Sequence, residues 1–128
     1  MENKEMIATG NAPGAVGPYV QGIKSGNLIF CSGQLGIDMA TGKLAPTLEE
    51  QARCSMKNLG AVLAQAGSGY DKILKTTIFL TDMGEFATVN RVYQSFFQGS
   101  YPARSCVQAA ALPLGGLVEI ECIALAYA

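Results

Sequence analysis

The residues with chemistry to offer are polar groups set into otherwise apolar runs, because burying such a group is costly unless it is paired or put to work. Arg104 opens a stretch, Ser105 to Ala111, that holds no other charge. In an extended strand Arg104 and Cys106 point to one face, with Ser105 and Val107 on the other. Downstream, Glu119 and Glu121 share a strand face while Val118, Ile120 and Cys122 occupy the opposite one. If these strands pair, the planar guanidinium fork of Arg104 can bind a small carboxylate while a glutamate handles protons or water. The same residues would also make a structural Arg–Glu ion pair inside an interface, and spacing alone favours that plainer reading. Glu121 reads as a solvated or interface-lining charge. Cys106 has no histidine to activate it, although Arg104 nearby could lower its thiol pKa. Tyr19 could lid a pocket, yet an aromatic on an early strand is more often core. Gly14, Gly17, Gly26 and Gly33 lack the strand-to-helix context that a phosphate loop needs.

Composition narrows the chemistry further. The chain has 128 residues, enough for one sizeable core and too few for two, so a single domain over 1–128 is expected. It contains no histidine, which removes the usual neutral-pH base and the commonest metal ligand together. Four cysteines, Cys31, Cys54, Cys106 and Cys122, are scattered without a C-x-x-C pair, which argues against a zinc site. Nine basic against ten acidic residues and a pI near 5.3 give no field to attract a phosphate backbone, so nucleic acid is disfavoured as a partner. The first ten residues lack a leader's apolar run, and no stretch is long enough to span a bilayer. A reducing cytoplasmic setting, or an organelle matrix, with free thiols follows as the expectation.

The elements that must position these residues are punctuated by Gly and Pro. Tyr19 to Lys24 and Asn27 to Gly33 read as strands joined by a Ser25-Gly26 hairpin signal. Asp38 to Gly42 is a turn before a short extended piece at Lys43-Leu44. Thr47-Leu48-Glu49-Glu50 is a capping-box pattern, and Leu48, Ala52, Met56, Leu59, Leu63 and Ala66 then make one apolar helical stripe ending at Gly67. Asp71 to Thr81 reads as a strand. Asp82-Met83-Gly84-Glu85 starts a second helix whose stripe is Phe86, Val89, Tyr93, Phe96 and Phe97, ending at Gly99. Strands over Arg104 to Ala110 and Val118 to Ala126 complete an α+β layout with helices on a mixed sheet.

Leu28, Ile29, Phe30 and Cys31 put apolar groups on both faces of one strand, yet two helices can cover only one. The other face calls for a homo-oligomer built sheet to sheet, which also explains a charged fraction of only 15% against about 25% in typical soluble chains. The alternative is cover by the N-terminal segment.

Five blocks carry a resemblance: Gly17-Pro18-Tyr19-Val20-Gln21-Gly22, Ser32-Gly33-Gln34, Phe86-Ala87-Thr88-Val89-Asn90, Pro102-Ala103-Arg104-Ser105-Cys106-Val107, and Leu117-Val118-Glu119-Ile120-Glu121. From Ile7 to Leu125 the chain resembles the RidA family, also called YjgF, the reactive-intermediate imine deaminases. That resemblance implies a chorismate-mutase-like α+β fold, with two helices on one face of a mixed sheet, assembled as a homotrimer with a pocket in each cleft between subunits. The implied activity is hydrolysis of 2-imino acids such as 2-iminobutanoate and 2-iminopropanoate to 2-keto acids and ammonia. Such imines arise from dehydratases that use pyridoxal phosphate, and the protein itself would need no cofactor and no metal.

By the same resemblance Arg104 clamps the substrate carboxylate and Glu119 positions or activates the attacking water, a role not carried by Glu121. Cys106 contacts the ligand through its backbone more than its thiol. Ser32 and Gly33 belong to the pocket strand, Tyr19 is an aromatic wall from a neighbouring subunit, and Asn90 is a supporting polar group. The departures are the charge-free run Ala109 to Gly116 and the short Gln98 to Tyr101 connection, both of which bear on the rim and on side-chain specificity. The competing reading is a regulatory trimer that captures keto acids without turnover.

Overall fold

The structure, a computed structural model, describes residues 3–128. Met1 and Glu2, part of the segment read for a leader and of the expected domain, lie outside the described residues. Six strands make the main sheet: β1 (Glu5–Ile7), β2 (Gly22–Ser25), β3 (Leu28–Leu35), β6 (Ile73–Leu80), β7 (Ala103–Gln108) and β8 (Val118–Leu125). Their order across the sheet is β1-β2-β3-β8-β6-β7, and every pairing is antiparallel except β6 with β7. A separate two-stranded ribbon joins β4 (Ile37–Asp38) to β5 (Lys43–Leu44) around the expected turn. The helices are α1 (Leu48–Gln65) and α2 (Phe86–Gln94).

Local chemistry explains most of the boundaries. Gly26 takes φ +62° at the first loop position between β2 and β3, where a type II′ hairpin needs glycine. Thr47 caps α1 by accepting the Glu50 N–H at 3.2 Å, but its hydroxyl also meets the Glu50 carboxylate at 3.3 Å, so the box closes side chain to side chain. Gly67, at φ +79°, ends that helix in a Schellman motif: Ser68 N donates to Leu63 O and Gly67 N to Ala64 O.

Three expected elements are shorter than their sequence patterns. Tyr19, Val20 and Gln21 precede β2 instead of opening it. A tight turn sends Tyr19 N to Gly17 O, and the Ser32 hydroxyl takes Val20 O at 2.6 Å in place of a ladder partner. The Asp71–Thr81 strand begins only at Ile73, because Tyr70–Lys72 form a 3₁₀ turn in which Asp71 accepts the Tyr127 hydroxyl. The second helix stops at Gln94, where Ser95 Oγ bonds back to Val92 O, and Phe96 and Phe97 leave the helix to pack on Tyr70. The last two strands also lose a residue or two at their edges, spanning 103–108 and 118–125.

Met56, Leu59 and Leu63 of α1 are fully buried against Ile29, Ile78, Leu80 and Ile120 of the sheet. A polar row on the same helix works differently. Gln51 donates to Ala45 O and accepts from Leu117 N, while Asn58 donates to Leu35 O and Ile37 O, so α1 clips the loops at one end of β3 and β8. The opposite sheet face is left bare of helices: Ile29 is fully buried but its neighbour Phe30 is 45% exposed, as the two-faced pattern predicts for a single chain. β1 extends the sheet at its edge beyond β2, so it does not lie across that face.

Candidate functional site

Arg104 is held from α2. Its Nη1 donates to Asn90 Oδ1 at 2.6 Å, and its Cζ lies 5.3 Å from the Phe86 ring centroid and 5.1 Å from that of Tyr93. Phe86, Asn90 and Tyr93 sit at i, i+4 and i+7, so one helix face presents two rings and an amide to the guanidinium. The hydrogen bond to Asn90 uses one of five N–H donors, which leaves the fork open to a cleft of about 370 Å³ bounded by Tyr101, Pro102 and Gln94. Tyr93 is fixed in turn, its hydroxyl 2.7 Å from Thr76 Oγ1. Cys106 follows on the same strand face. Burial pushes its thiol pKa up, and this outweighs the lowering by Arg104, contrary to the activation the sequence allowed.

Glu119 occupies a second cleft of about 160 Å³, with Tyr19, Gly33, Gln21 and Leu114 among its walls. Burial, reinforced by Glu121, pushes its carboxyl pKa above the ordinary value. The carboxylate lies directly over Gly33, where an added Cβ would stand 2.6 Å from Glu119 Oε2. Gly33→Ala is therefore expected to displace the carboxylate while sparing the fold, since the clash is with the end of a side chain. Unchanged thermal melting with turnover lost would show that displacement; full turnover would refute it.

Tyr19 is half exposed, with the Val16 N–H 3.4 Å from its hydroxyl. Ser32 is spent on structure, its hydroxyl bound to Val20 O and its N–H to Gln21 O, at the bulge between Cys31 and Gln34. Gln21 escaped the sequence reading. It is buried, accepts the Thr9 N–H at 2.6 Å and donates to Thr9 O and Pro13 O, so it pins the loop that walls the Glu119 cleft. Phe86 and Tyr93 were legible only as core stripe; their i, i+4, i+7 spacing with Asn90 is the signal that could have exposed the guanidinium seat.

The two clefts do not meet within one chain. β7 pairs with β6, not β8, so the strands bearing Arg104 and Glu119 are not neighbours. Arg104 stands opposite Thr76 and Glu119 opposite Phe79 on β6, three residues apart and hence on opposite sheet faces. An intrachain Arg104–Glu119 ion pair is thereby ruled out. Thus Arg104, Asn90 and Cys106 gather on the helix-covered face, and Tyr19, Gly33 and Glu119 gather on the other. Among the described residues no cluster of Cys, Asp and Glu has the makings of a metal site, and no helix is long and apolar enough to cross a membrane.

Sheet and helices together define an α+β protein, with two clefts of small-molecule size. The family model described as Endoribonuclease L-PSP matches residues 9–126. The RutC family protein y4sK of Sinorhizobium fredii is 53% identical over 120 residues, 93% of this chain and 95% of its own. The 2-iminobutanoate/2-iminopropanoate deaminase of Mus musculus is 46% identical over 123 residues, 95% of this chain and 91% of its own. The crystal structure of E. coli TdcF with bound serine superposes with a TM-score of 0.92 at 45% identity, covering 96% of this chain and 99% of that one. The chain belongs to the RidA/YjgF family of reactive-intermediate deaminases.

Proposed function

We propose that this chain hydrolyses reactive 2-imino acids, such as 2-iminobutanoate and 2-iminopropanoate, to the 2-keto acid and ammonia. The observation that carries the reading is the Arg104 guanidinium, seated on two rings and Asn90 with its fork open to a cleft of metabolite size. A relative at 46% identity is named for this reaction, and another was crystallised with serine, an α-substituted carboxylate of similar size. The balanced charge and the lack of histidine count against RNA cleavage, despite the family description.

In the proposed mechanism Arg104 holds the substrate carboxylate while a water near Glu119 adds to the imine carbon. Water gives a proton to the Glu119 carboxylate as the C=N π pair moves to nitrogen, and Glu119 returns that proton to the nitrogen. The carbinolamine hydroxyl then passes its proton to Glu119, which hands it to the departing nitrogen as the C–N bond breaks, leaving a keto acid and ammonia. Imines hydrolyse readily in water, so the protein has mainly to position the reactants and manage protons, the latter worth roughly 10²–10⁴-fold. No cofactor or metal enters. Tyr19 and Gly33 wall the pocket on the Glu119 side, and Asn90, Cys106 and the backbone around Ser32 complete it.

Because the half-sites lie on opposite faces, the functional unit in this reading is a homotrimer of chorismate-mutase type. Its bare sheet faces pack inward, and each site joins Arg104 of one subunit to Glu119 of a neighbour. The physiological setting that fits is a cytoplasm shared with imine-releasing dehydratases. Mixing Arg104→Ala and Glu119→Gln chains, each far below wild type at substrate concentrations under KM, tests this. Random trimers should restore about a quarter of the wild-type sites if the residues come from different subunits. No recovery in mixed trimers, or a monomer in sedimentation at micromolar concentration, would refute the intersubunit site.

A further inference from the structure

Leu114 is the one non-glycine among the described residues with a left-handed backbone, at φ 61° and ψ 13°. Nothing in its own burial accounts for this, since the side chain is 71% exposed. Glycines follow at 115 and 116, so the chain has residues suited to a left-handed position within reach, yet it places leucine there. The surrounding turn is firmly held. Gly116 N donates to Pro113 O, a Cβ at Gly116 would stand 2.8 Å from Leu35 Cδ2, and the next residue, Leu117, is tied to Gln51 and Thr81. A strained residue kept in place by its neighbours at the mouth of a cleft points to a role in that cleft.

The cleft is the one that holds Glu119, and around Leu114 its rim is apolar: Val16, Pro13, Leu35 and Pro113 line it with Tyr19. Glu119 supplies the charged group on this side, with Gln21 and Gln34 deeper in the wall, and in the proposed reaction the substrate carboxylate is taken by Arg104 from the other half-site. The part of the substrate left to meet the rim is its side chain. We infer that Leu114 is a specificity-determining residue, whose isobutyl group forms the wall against which the alkyl side chain of a 2-imino acid packs. The inference rests on the deaminase reading. It assigns the enzyme a preference for unbranched alkyl substrates that grows with chain length, at the expense of polar and acidic ones. The leucine is retained at a cost in backbone strain because the apolar contact is made only with the substrate.

Leu114→Gly and Leu114→Asn test this without endangering the fold, since both residues accept a left-handed backbone. Turnover of 2-iminopropanoate, 2-iminobutanoate and 2-iminopentanoate is compared, with both variants expected to melt close to the wild type. Wild-type kcat/KM should rise along the series, and both variants should flatten that rise by about 3–10-fold, mostly through KM, as loss of an apolar contact at an open rim allows. An equal fall for all three substrates would mean a merely structural role and would overturn the inference, as would an unchanged slope. Calorimetric binding of pyruvate, 2-oxobutanoate and 2-oxopentanoate separates the two layers of the argument. If no imine is turned over but affinity still climbs with chain length in a Leu114-dependent way, the deaminase reading fails and the wall stands. If imines are turned over with no Leu114-dependent slope, the wall fails alone.

Discussion

Arg104→Lys is expected to lower kcat/KM on 2-iminobutanoate by about tenfold or more, and Arg104→Ala by roughly 10–150-fold or further, in line with a charge-assisted hydrogen bond worth about 1.5–3 kcal/mol. Lysine keeps the positive charge, so a site that needed only charge would tolerate it. The seat of Arg104, however, is built for a plane. The guanidinium carbon lies 5.3 and 5.1 Å from the ring centroids of Phe86 and Tyr93 and the group is oriented by the 2.6 Å bond to Asn90, which uses one N–H and leaves the others for the cleft. An ammonium has neither the plane to stack nor the paired donors to match a carboxylate. The loss should fall largely on KM, because the carboxylate is bound in the ground state and the transition state alike. Steady-state kinetics on freshly generated imine decide it: full activity in Arg104→Lys would remove the bidentate clamp from the mechanism. Asn90→Ala offers a milder companion, since it frees the guanidinium to rotate without removing it.

How far the sequence led to this site depends on which physical signal each part leaves. Apolar periodicity leaves a strong one, so the α1 stripe through Met56, Leu59 and Leu63, the Thr47 cap and the Gly67 terminus were all readable. Element ends were less so, because side chains settle them by competing with the backbone: Ser32 taking Val20 O, Ser95 bonding Val92 O and Asp71 taking the Tyr127 hydroxyl each stop a regular element short of its pattern. The placement of Arg104 and Glu119 on faces of their own strands was legible from alternation alone. Their placement relative to each other was not, because it depends on β6 entering the sheet between β8 and β7, a matter of topology that no local pattern encodes. The two-faced strand around Phe30 was the one clue that a single chain leaves a surface unsatisfied. Gln21 and Leu114 left only an indirect trace. A glutamine inside a strand pattern and a leucine in a charge-free run at the rim show their roles only once the hydrogen bonds of the first and the φ of the second are known.

Glu119→Gln is expected to separate stability from activity, raising the one and removing the other. Burial, with Glu121 adding to it, lifts the Glu119 pKa above its ordinary value, so the native state binds this proton more tightly than the unfolded chain does. The sign follows directly. The favourable contribution of protonated Glu119 is fully present below the ordinary carboxyl pKa and is lost as pH rises through the raised one; above that, the native state carries a charge it would hold more easily as an acid. Glutamine removes that charge, so the variant should melt above the wild type at neutral pH, and the gap should close as the pH is lowered through the raised pKa. Catalysis needs the opposite form. A carboxylate that accepts protons from water and carbinolamine must be ionised, so wild-type kcat/KM should fall on the acid side with a midpoint above the ordinary carboxyl value, where a solvated glutamate would still be active. Glutamine cannot accept that proton at any pH. Its turnover should drop by roughly 10²–10⁴-fold while keto-acid binding through Arg104 persists. A variant that melts higher and turns over at the wild-type rate would leave the electrostatics intact but take water activation away from Glu119. If melting is unchanged at every pH, the native Glu119 pKa is not raised in the assembled protein, as when the charge of Arg104 from a neighbouring subunit offsets the cost of burial. The pH dependence of melting therefore also reports on whether the Arg104 and Glu119 clefts come together between subunits.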